Sequence, residues 1–368
     1  MKKLVSSVAL SLAMQLSTMQ EKITMQSRDG SYRTLKHQDW LVNAAINIEL
    51  IPRGKMITTG CNAINVWDLA KDTPINIMRD LHGRITCAKM ISDNNIATTK
   101  TTSLVVTIQD LQGNVIRSFF GPWAVLGHSI CKLNNHEFAV GGSEQNNNPS
   151  LVVFDQRSPG QKPSIRMRPR DSLEKDITAL ECLDEKHLLA GHWNNAPEIT
   201  LWDIRKPERE QGGFTTQGSP HSIAVLGKTE QHPLITSVEN DSFQHRILNL
   251  KGEIVAKYTT LSPNKVVTSL EFNKAFATGG DNGDLSLFTR RGALLALLKG
   301  HTTRVQDITE LPHGDVLSAD LDGYIKFWKF PSQESKDKEK DLEDTFFSGI
   351  ETVVEMAEDF AIDMLDDI

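Results

Sequence analysis

In SIRMRPRD (164–171) an arginine recurs at every second position: Arg166, Arg168 and Arg170, with the apolar Ile165 and Met167 alternating with them. A strand has a period of two, so this spacing puts three guanidiniums on one side of an extended segment. Such a row suits an anion: the chain's own acidic tail, an acidic peptide or a phosphate. The competing reading is a solvated strand edge whose charge blunts unwanted pairing. Two further arginines, Arg157 in FDQR and Arg205 in WDIR, close two short segments of similar pattern. Trp123 in GPWAVLG and Trp193 in GHWNNAPE, the latter followed by Asn194 and Asn195, are the aromatic type that anchors bound partners. Each Trp has an alternative role as a cap on the core of its own sheet.

No catalytic constellation accompanies these residues. The 11 His are scattered without paired metal spacing, and Cys61, Cys87, Cys131 and Cys182 lack metal-ligand spacing. No Ser/His/Asp arrangement and no phosphate-cradling Gly loop is legible, so a non-enzymatic protein with neither metal nor cofactor is expected. An enzyme on this chain would have to assemble its site from distant loops. Three of the cysteines fall within strand-like segments and read as buried free thiols in a reducing compartment, which points to the cytoplasm.

The elements that carry these residues repeat. NVWDL, VTIQDL, VVFDQ, TLWDI, RILNL, LSLFTR and IKFWKF share one pattern, and their equivalent positions are Trp67, Gln109, Phe154, Trp202, Leu248, Phe288 and Trp328. Before each lies a strand-like segment ending in small residues (KMITTG, EFAVGG, AFATGG), and before that another (INIEL, HSICKL, VTSLEF). After all but the last comes a fourth (INIMRDL, VIRSFF, IVAKYTT). Four short strands per unit, joined by turn residues, predict one sheet of a radial array.

One unit, KGHTTRVQDITELPHGDVLSADLDGYIKFW (299–328), resembles a WD40 repeat, with its Gly300-His301 pair, Ser318, Asp322-Gly323 and Trp328. The resemblance extends over about residues 31–330 and implies an all-β, seven-bladed propeller. It also implies a hydrogen-bonded structural tetrad of His301, Ser318, Asp322 and Trp328. Other units depart from the pattern: Cys61 and Asn282 stand where the turn Asp is expected, and most lack the Gly-His pair. The seventh unit lacks its outer strand, whereas SYRTLKHQDW (31–40) is strand-like and unassigned. This N-terminal segment is expected to complete the last blade and close the ring.

On such a ring the inner strands start at one face, here called upper, and successive strands alternate in direction. The loops bearing Trp123, Trp193, Asn194 and Asn195 then belong to the upper face around blades three and four. Arg157 and Arg205 fall at equivalent points of the lower face. FDQR and WDIR resemble the WDxR motif of substrate receptors of cullin-RING ubiquitin ligases, in which Arg-bearing blades and an N-terminal helix engage the adaptor. FTRRG (288–292) does not fit the phosphoinositide-binding Arg-Arg-Gly pattern of another propeller family, because Thr289 intervenes before the Arg pair.

The ends have a character of their own. Residues 333–368 hold 3 Lys+Arg and 13 Asp+Glu, a net of −10, although the whole chain is at −7; a near-neutral body thus has an acidic tail. Residues 1–26 space their apolar positions by threes and fours and read as an amphipathic helix rather than a secretory signal. A charged linker (332–344) leads to a second amphipathic, acidic helix (345–368) whose apolar face includes Phe346, Ile350, Val353, Val354, Phe360, Met364 and Leu365. Its acidic end is unfavourable to the helix dipole, and its apolar stripe needs cover. The two helices are expected to dock on each other or on a partner. The expected function is a scaffold for protein or peptide partners, with neither nucleic acid nor a membrane as partner. The alternatives are a ligase substrate receptor and a propeller enzyme.

Overall fold

The computed structural model describes residues 31–330 except 38–44, 80–83, 101–104, 121–125, 144–148, 159, 161–162, 168–175, 194–197, 209, 217 and 240–241. The two terminal helices and the linker expected from the sequence lie outside the described residues. Among the described residues the regular structure is all strand.

The strands form seven four-stranded antiparallel sheets. β1 (Ser31–Lys36) stands apart at the start of the chain. Blade 1 is β2 (Ala45–Ile51), β3 (Lys55–Gly60), β4 (Ala63–Asp68) and β5 (Pro74–Arg79). Blade 2 is β6 (Ile85–Met90), β7 (Asn95–Lys100), β8 (Val105–Asp110) and β9 (Val115–Phe120). Blade 3 is β10 (Leu126–Lys132), β11 (Glu137–Ser143), β12 (Pro149–Asp155) and β13 (Ile165–Met167). Blade 4 is β14 (Ile177–Cys182), β15 (His187–His192), β16 (Ile199–Asp203) and β17 (Gly212–Phe214). Blade 5 is β18 (Pro220–Leu226), β19 (Leu234–Glu239), β20 (Gln244–Asn249) and β21 (Ile254–Thr259). Blade 6 is β22 (Asn264–Leu270), β23 (Ala275–Gly280), β24 (Leu285–Thr289) and β25 (Leu294–Leu298). Blade 7 is β26 (Val305–Glu310), β27 (Val316–Asp320) and β28 (Tyr324–Trp328), and β1 is its fourth strand.

The ring therefore closes as the sequence predicts. β1 pairs antiparallel with β28 from Ser31↔Trp328 to Lys36↔Tyr324. Arg33 ties this strand to the next blade: its Nε donates to Asp72 at 3.0 Å, and its guanidinium lies 4.8 Å from the centroid of Phe327. Pairing the two chain ends in one sheet removes an open edge and makes closure depend on both.

A blade with two apolar faces needs a neighbour on each, and the cores lie between blades rather than within one. Ile57, Ile64 and Val66 of blade 1 pack with Ile85, Met90 and Ile96 of blade 2. Leu35, Leu317 and Phe327 of blade 7 pack with Ile48, Met56 and Trp67 of blade 1, so the seam has a core like the other interfaces.

All seven inner strands carry a register shift at the same place, after their first or second residue. The extra residue is a β-bulge that bends the strand at the upper end of the channel. The residue just after the bulge can reach the next blade. Asp307 Oδ2 accepts the N–H of Ile48 at 2.6 Å, and Ser129 Oγ accepts that of Leu180 at 3.0 Å. Ser222 Oγ accepts that of Val267 at 3.3 Å. Nearby on β6, burial pushes the Cys87 thiol up to about 11, so it stays protonated.

Candidate functional site

The upper channel mouth gathers polar side chains from several blades. Trp193 follows β15, and its N–H donates to the Asp176 carbonyl at 3.0 Å. Its partly exposed indole meets the His221 ring edge-on, with centroids 5.8 Å apart. His221 is the bulged residue of β18, and its Nε2 is 3.5 Å from Nζ of Lys265, the bulged residue of β22. Blades 4, 5 and 6 thus contribute an indole, an imidazole and an ammonium in sequence. Blade 7 adds Gln306, at its own bulge, and Arg304, whose guanidinium is 3.8 Å from the Asp281 carboxylate. Gln306 Nε2 is buried without a hydrogen-bond acceptor among the described residues. The chemistry on offer is cationic and donor-rich beside an aromatic face, which suits a carboxylate- or carbonyl-bearing peptide segment. The mouth is polar, as an enzyme reading requires.

Of the upper-face residues expected from the sequence, Trp193 is described, and its ring contact is with blade 5. Trp123, Asn194 and Asn195 lie outside the described residues. Of the arginine row, Arg166 is exposed on β13, and Arg168 and Arg170 lie outside the described residues. Phe346, Ile350, Val353, Val354, Phe360, Met364 and Leu365 lie outside them as well.

On the lower face Arg157 and Arg205 occupy the same position of adjacent blades with the same partners. Arg157 donates from its backbone N and Nε to Asp155 Oδ1 (2.8 and 3.0 Å) and from its terminal nitrogen to Oδ2 (2.9 Å). Arg205 does so to Asp203 at 3.0, 2.8 and 2.7 Å. These forks hold both carboxyls below their ordinary values, Asp203 strongly so. The two arginine side chains remain 61% and 54% exposed, so the lower face presents a matched pair of guanidiniums.

The tetrad corrects one sequence assignment. His301 Nδ1 is 2.8 Å from Oδ2 of Asp320, not of Asp322. His301 Nε2 is 2.7 Å from Ser318 Oγ, and Trp328 Nε1 donates to the same oxygen at 2.7 Å. The carboxylate fixes the tautomer: Nδ1–H donates to Asp320, and Nε2 accepts from the Ser318 hydroxyl. Asp322 sits exposed in the following turn, where its carbonyl accepts from Lys36 Nζ. In LSADLDG both acids stand near the turn, but Asp320 ends β27 inside the sheet and faces the histidine.

Related polar knots occur in blades whose sequences lack the pattern. In blade 1, Thr58 Oγ1 is 2.8 Å from both His37 Nδ1 and Trp67 Nε1. In blade 4 the hydroxyl moves to the third strand: Thr200 Oγ1 is 2.7 Å from His192 Nε2 and 2.8 Å from Trp202 Nε1. In blade 5, Glu239 stands at the Asp320 position and binds His245 Nδ1 at 2.7 Å and Ser237 Oγ at 2.6 Å. Sequence reasoning missed these sets. Trp67 and Trp202, in register with Trp328, were the available signal.

Lower in the channel, Lys89 Nζ lies 3.4 Å from Glu49 Oε1. The Glu49 carboxylate holds the Lys89 ammonium well above its ordinary value. Burial pushes the nearby Asp307 carboxyl up to about 6, against the Ile48 N–H and the Lys89 charge, which favour ionisation.

The family model for the WD domain, G-beta repeat matches residues 292–329. A chain from a crystal structure of the mitotic checkpoint complex superposes with a TM-score of 0.68 at 16% sequence identity, covering 82% of this chain and 92% of that one. In all, 1468 solved chains match, a breadth that belongs to an architecture and not to one activity. Curated protein sequences give no match. The protein is a seven-bladed β-propeller with a WD40 repeat over residues 292–329, which run from the outer strand of blade 6 through the three inner strands of blade 7.

Proposed function

We propose that this propeller is a non-enzymatic interaction scaffold whose upper face receives a peptide or protein segment, centred on Trp193. Propellers of this kind typically serve as protein-interaction scaffolds. The observation that carries the reading is the run Trp193–His221–Lys265 across three blades. An aromatic anchor beside donors on a rigid rim is what a bound segment with carboxylates or free carbonyls needs. The terminal segments, acidic at the C-terminus, dock on each other or on a partner.

The test is affinity purification with mass spectrometry from cells, using the full chain and a Trp193→Ala, Lys265→Glu double variant. Loss of specific partners by tenfold or more, with the unfolding midpoint kept, supports the reading. Equal recovery overturns it.

The matched forks of Arg157 and Arg205 favour a second reading, that of a ligase substrate receptor whose adaptor docks on the lower face. Arg157→Ala with Arg205→Ala then abolishes adaptor recovery and leaves upper-face partners bound. Retained adaptor, or none with the native chain, sinks it. An enzyme is distinguished from both by turnover of a small molecule or peptide with no partner present.

A further inference from the structure

We propose that Cys131 and Cys182 form a reversible disulfide that staples blade 3 to blade 4 when a peroxide oxidises the protein. The two thiols lie on neighbouring inner strands, β10 and β14, which run in the same direction. The register between those strands is fixed higher up, where Ser129 Oγ accepts the Leu180 N–H across an offset of 51 residues. Two positions further along each strand stand Cys131 and Cys182, at the same offset. Because side chains alternate along a strand, residues i and i+2 share a face, so the upper bond brings the lower pair together. The blade 1 to blade 2 boundary shows the same relation: Glu49, at the position of Cys131, reaches the backbone of Met90, at the position of Cys182.

The thiols share one packed cluster. They are unequal. Cys131 is buried, whereas Cys182 is partly exposed. The neighbouring Cys131 thiol holds the Cys182 thiol below its ordinary value, and the Lys228 ammonium lowers it further; the Cys182 sulfur, with burial, drives Cys131 up. When protonated, Cys182 donates to the Asp184 carbonyl at 3.0 Å. Cys182 is therefore the attacking sulfur and Cys131 the resolving one.

The chemistry balances in two steps. The Cys182 thiolate attacks one oxygen of hydrogen peroxide, the O–O bond breaks, and the departing hydroxide takes up the thiol's proton, leaving a sulfenic acid and water. The Cys131 thiol then attacks the sulfenic sulfur, the S–O bond breaks, and a second water leaves with the Cys131 proton. Two thiols are oxidised by two electrons, and the peroxide is reduced to water. A low-molecular-weight thiol reverses the bond by exchange.

The test uses the full chain treated with a small excess of hydrogen peroxide, then alkylated, digested without reduction and mapped. A Cys131–Cys182 linked peptide is expected, with the thiol titre falling from four to two and recovering in dithiothreitol. In Cys182→Ala, Cys131 is expected to stay alkylatable. In Cys131→Ala, Cys182 is expected to stop at a sulfenic acid that dimedone traps. Should either variant fail to fold, the map of the native chain decides alone. Cys182 over-oxidised with Cys131 free, a link between two chains, or four thiols persisting would each overturn the proposal.

Discussion

Asp307 Oδ2 accepts the backbone N–H of Ile48 at 2.6 Å, joining the last blade to the first across the boundary between them. Ile48 is buried, so its N–H has little water to turn to if this acceptor is lost. Asp307→Ala is therefore expected to cost about 1–3 kcal/mol, the usual penalty for an orphaned buried donor. Urea unfolding near pH 4, below the window in which the carboxyl's own ionisation weighs against folding, checks this. A loss below about 0.5 kcal/mol would mean that the boundary does not depend on the bond.

The same carboxyl makes a pH-dependent contribution. Burial raises it to about 6 in the folded chain, from an ordinary value of 3.8. A group raised on folding contributes stability that is full below its unfolded value and is lost as pH rises through the folded one. Asp307 thus weighs against the folded state progressively between about pH 4 and 6, by no more than about 3 kcal/mol. Asn keeps an acceptor for Ile48 but does not titrate. Stability of Asp307→Asn relative to the native chain is expected to rise across that window and level off above it. A flat difference, or one of opposite sign, would exclude Asp307 as the titrating group.

The tetrad separates two neighbouring acids. Ser318 Oγ serves both His301 and Trp328 in a buried site, and Asp320 holds the imidazole from the other side. Ser318→Ala strands two ring nitrogens and is expected to destabilise by about 2–4 kcal/mol. Asp322→Ala, at an exposed carboxylate two residues from Asp320, is expected to stay within about 0.5 kcal/mol. Thermal unfolding of the two variants side by side checks the assignment, and a reversed order would restore Asp322 to the tetrad.

The ring was legible in the sequence because each blade repeats a strand pattern whose period local residues dictate. Even its closure was legible, since the last unit lacked a strand and SYRTLK supplied one. The tetrad acid was not, because Asp320 and Asp322 differ by which end of a turn they occupy, and that is set by pairing of Asp320 with Val305 on another strand. His192 escaped notice because its partner Thr200 lies on the third strand rather than the second, and His245 because the histidine itself lies on the third strand while Glu239 keeps the Asp320 position. The Trp193–His221–Lys265 run was hidden more deeply. It joins a tryptophan that follows β15 to bulged positions of two further blades, and a bulge leaves no mark in an alternating strand.

Small residues at the end of each second strand were visible as a pattern, and the structure supplies their cause. Gly141, Gly191 and Gly279 all pair with the residue just after an inner-strand bulge. At that level the next inner strand approaches closely. A Cβ on Gly191 would stand 2.7 Å from Pro220 Cγ and 3.1 Å from Ile223 Cδ1; one on Gly279 would stand 2.6 Å from Val305 Cγ1. Pro220 and Val305 open the inner strands of blades 5 and 7, so the glycine makes room for the neighbouring blade rather than for its own backbone. Gly191→Val is accordingly expected to destabilise by more than about 2 kcal/mol through overpacking at the blade 4 to blade 5 boundary. Gly212→Ala, where a new Cβ meets nothing within 4 Å, is the matched control and is expected to change little. Chemical unfolding of both measures the difference. Equal stabilities would show that the blades can part to admit an isopropyl group, and that the small-residue rule follows from something other than the approach of the next blade.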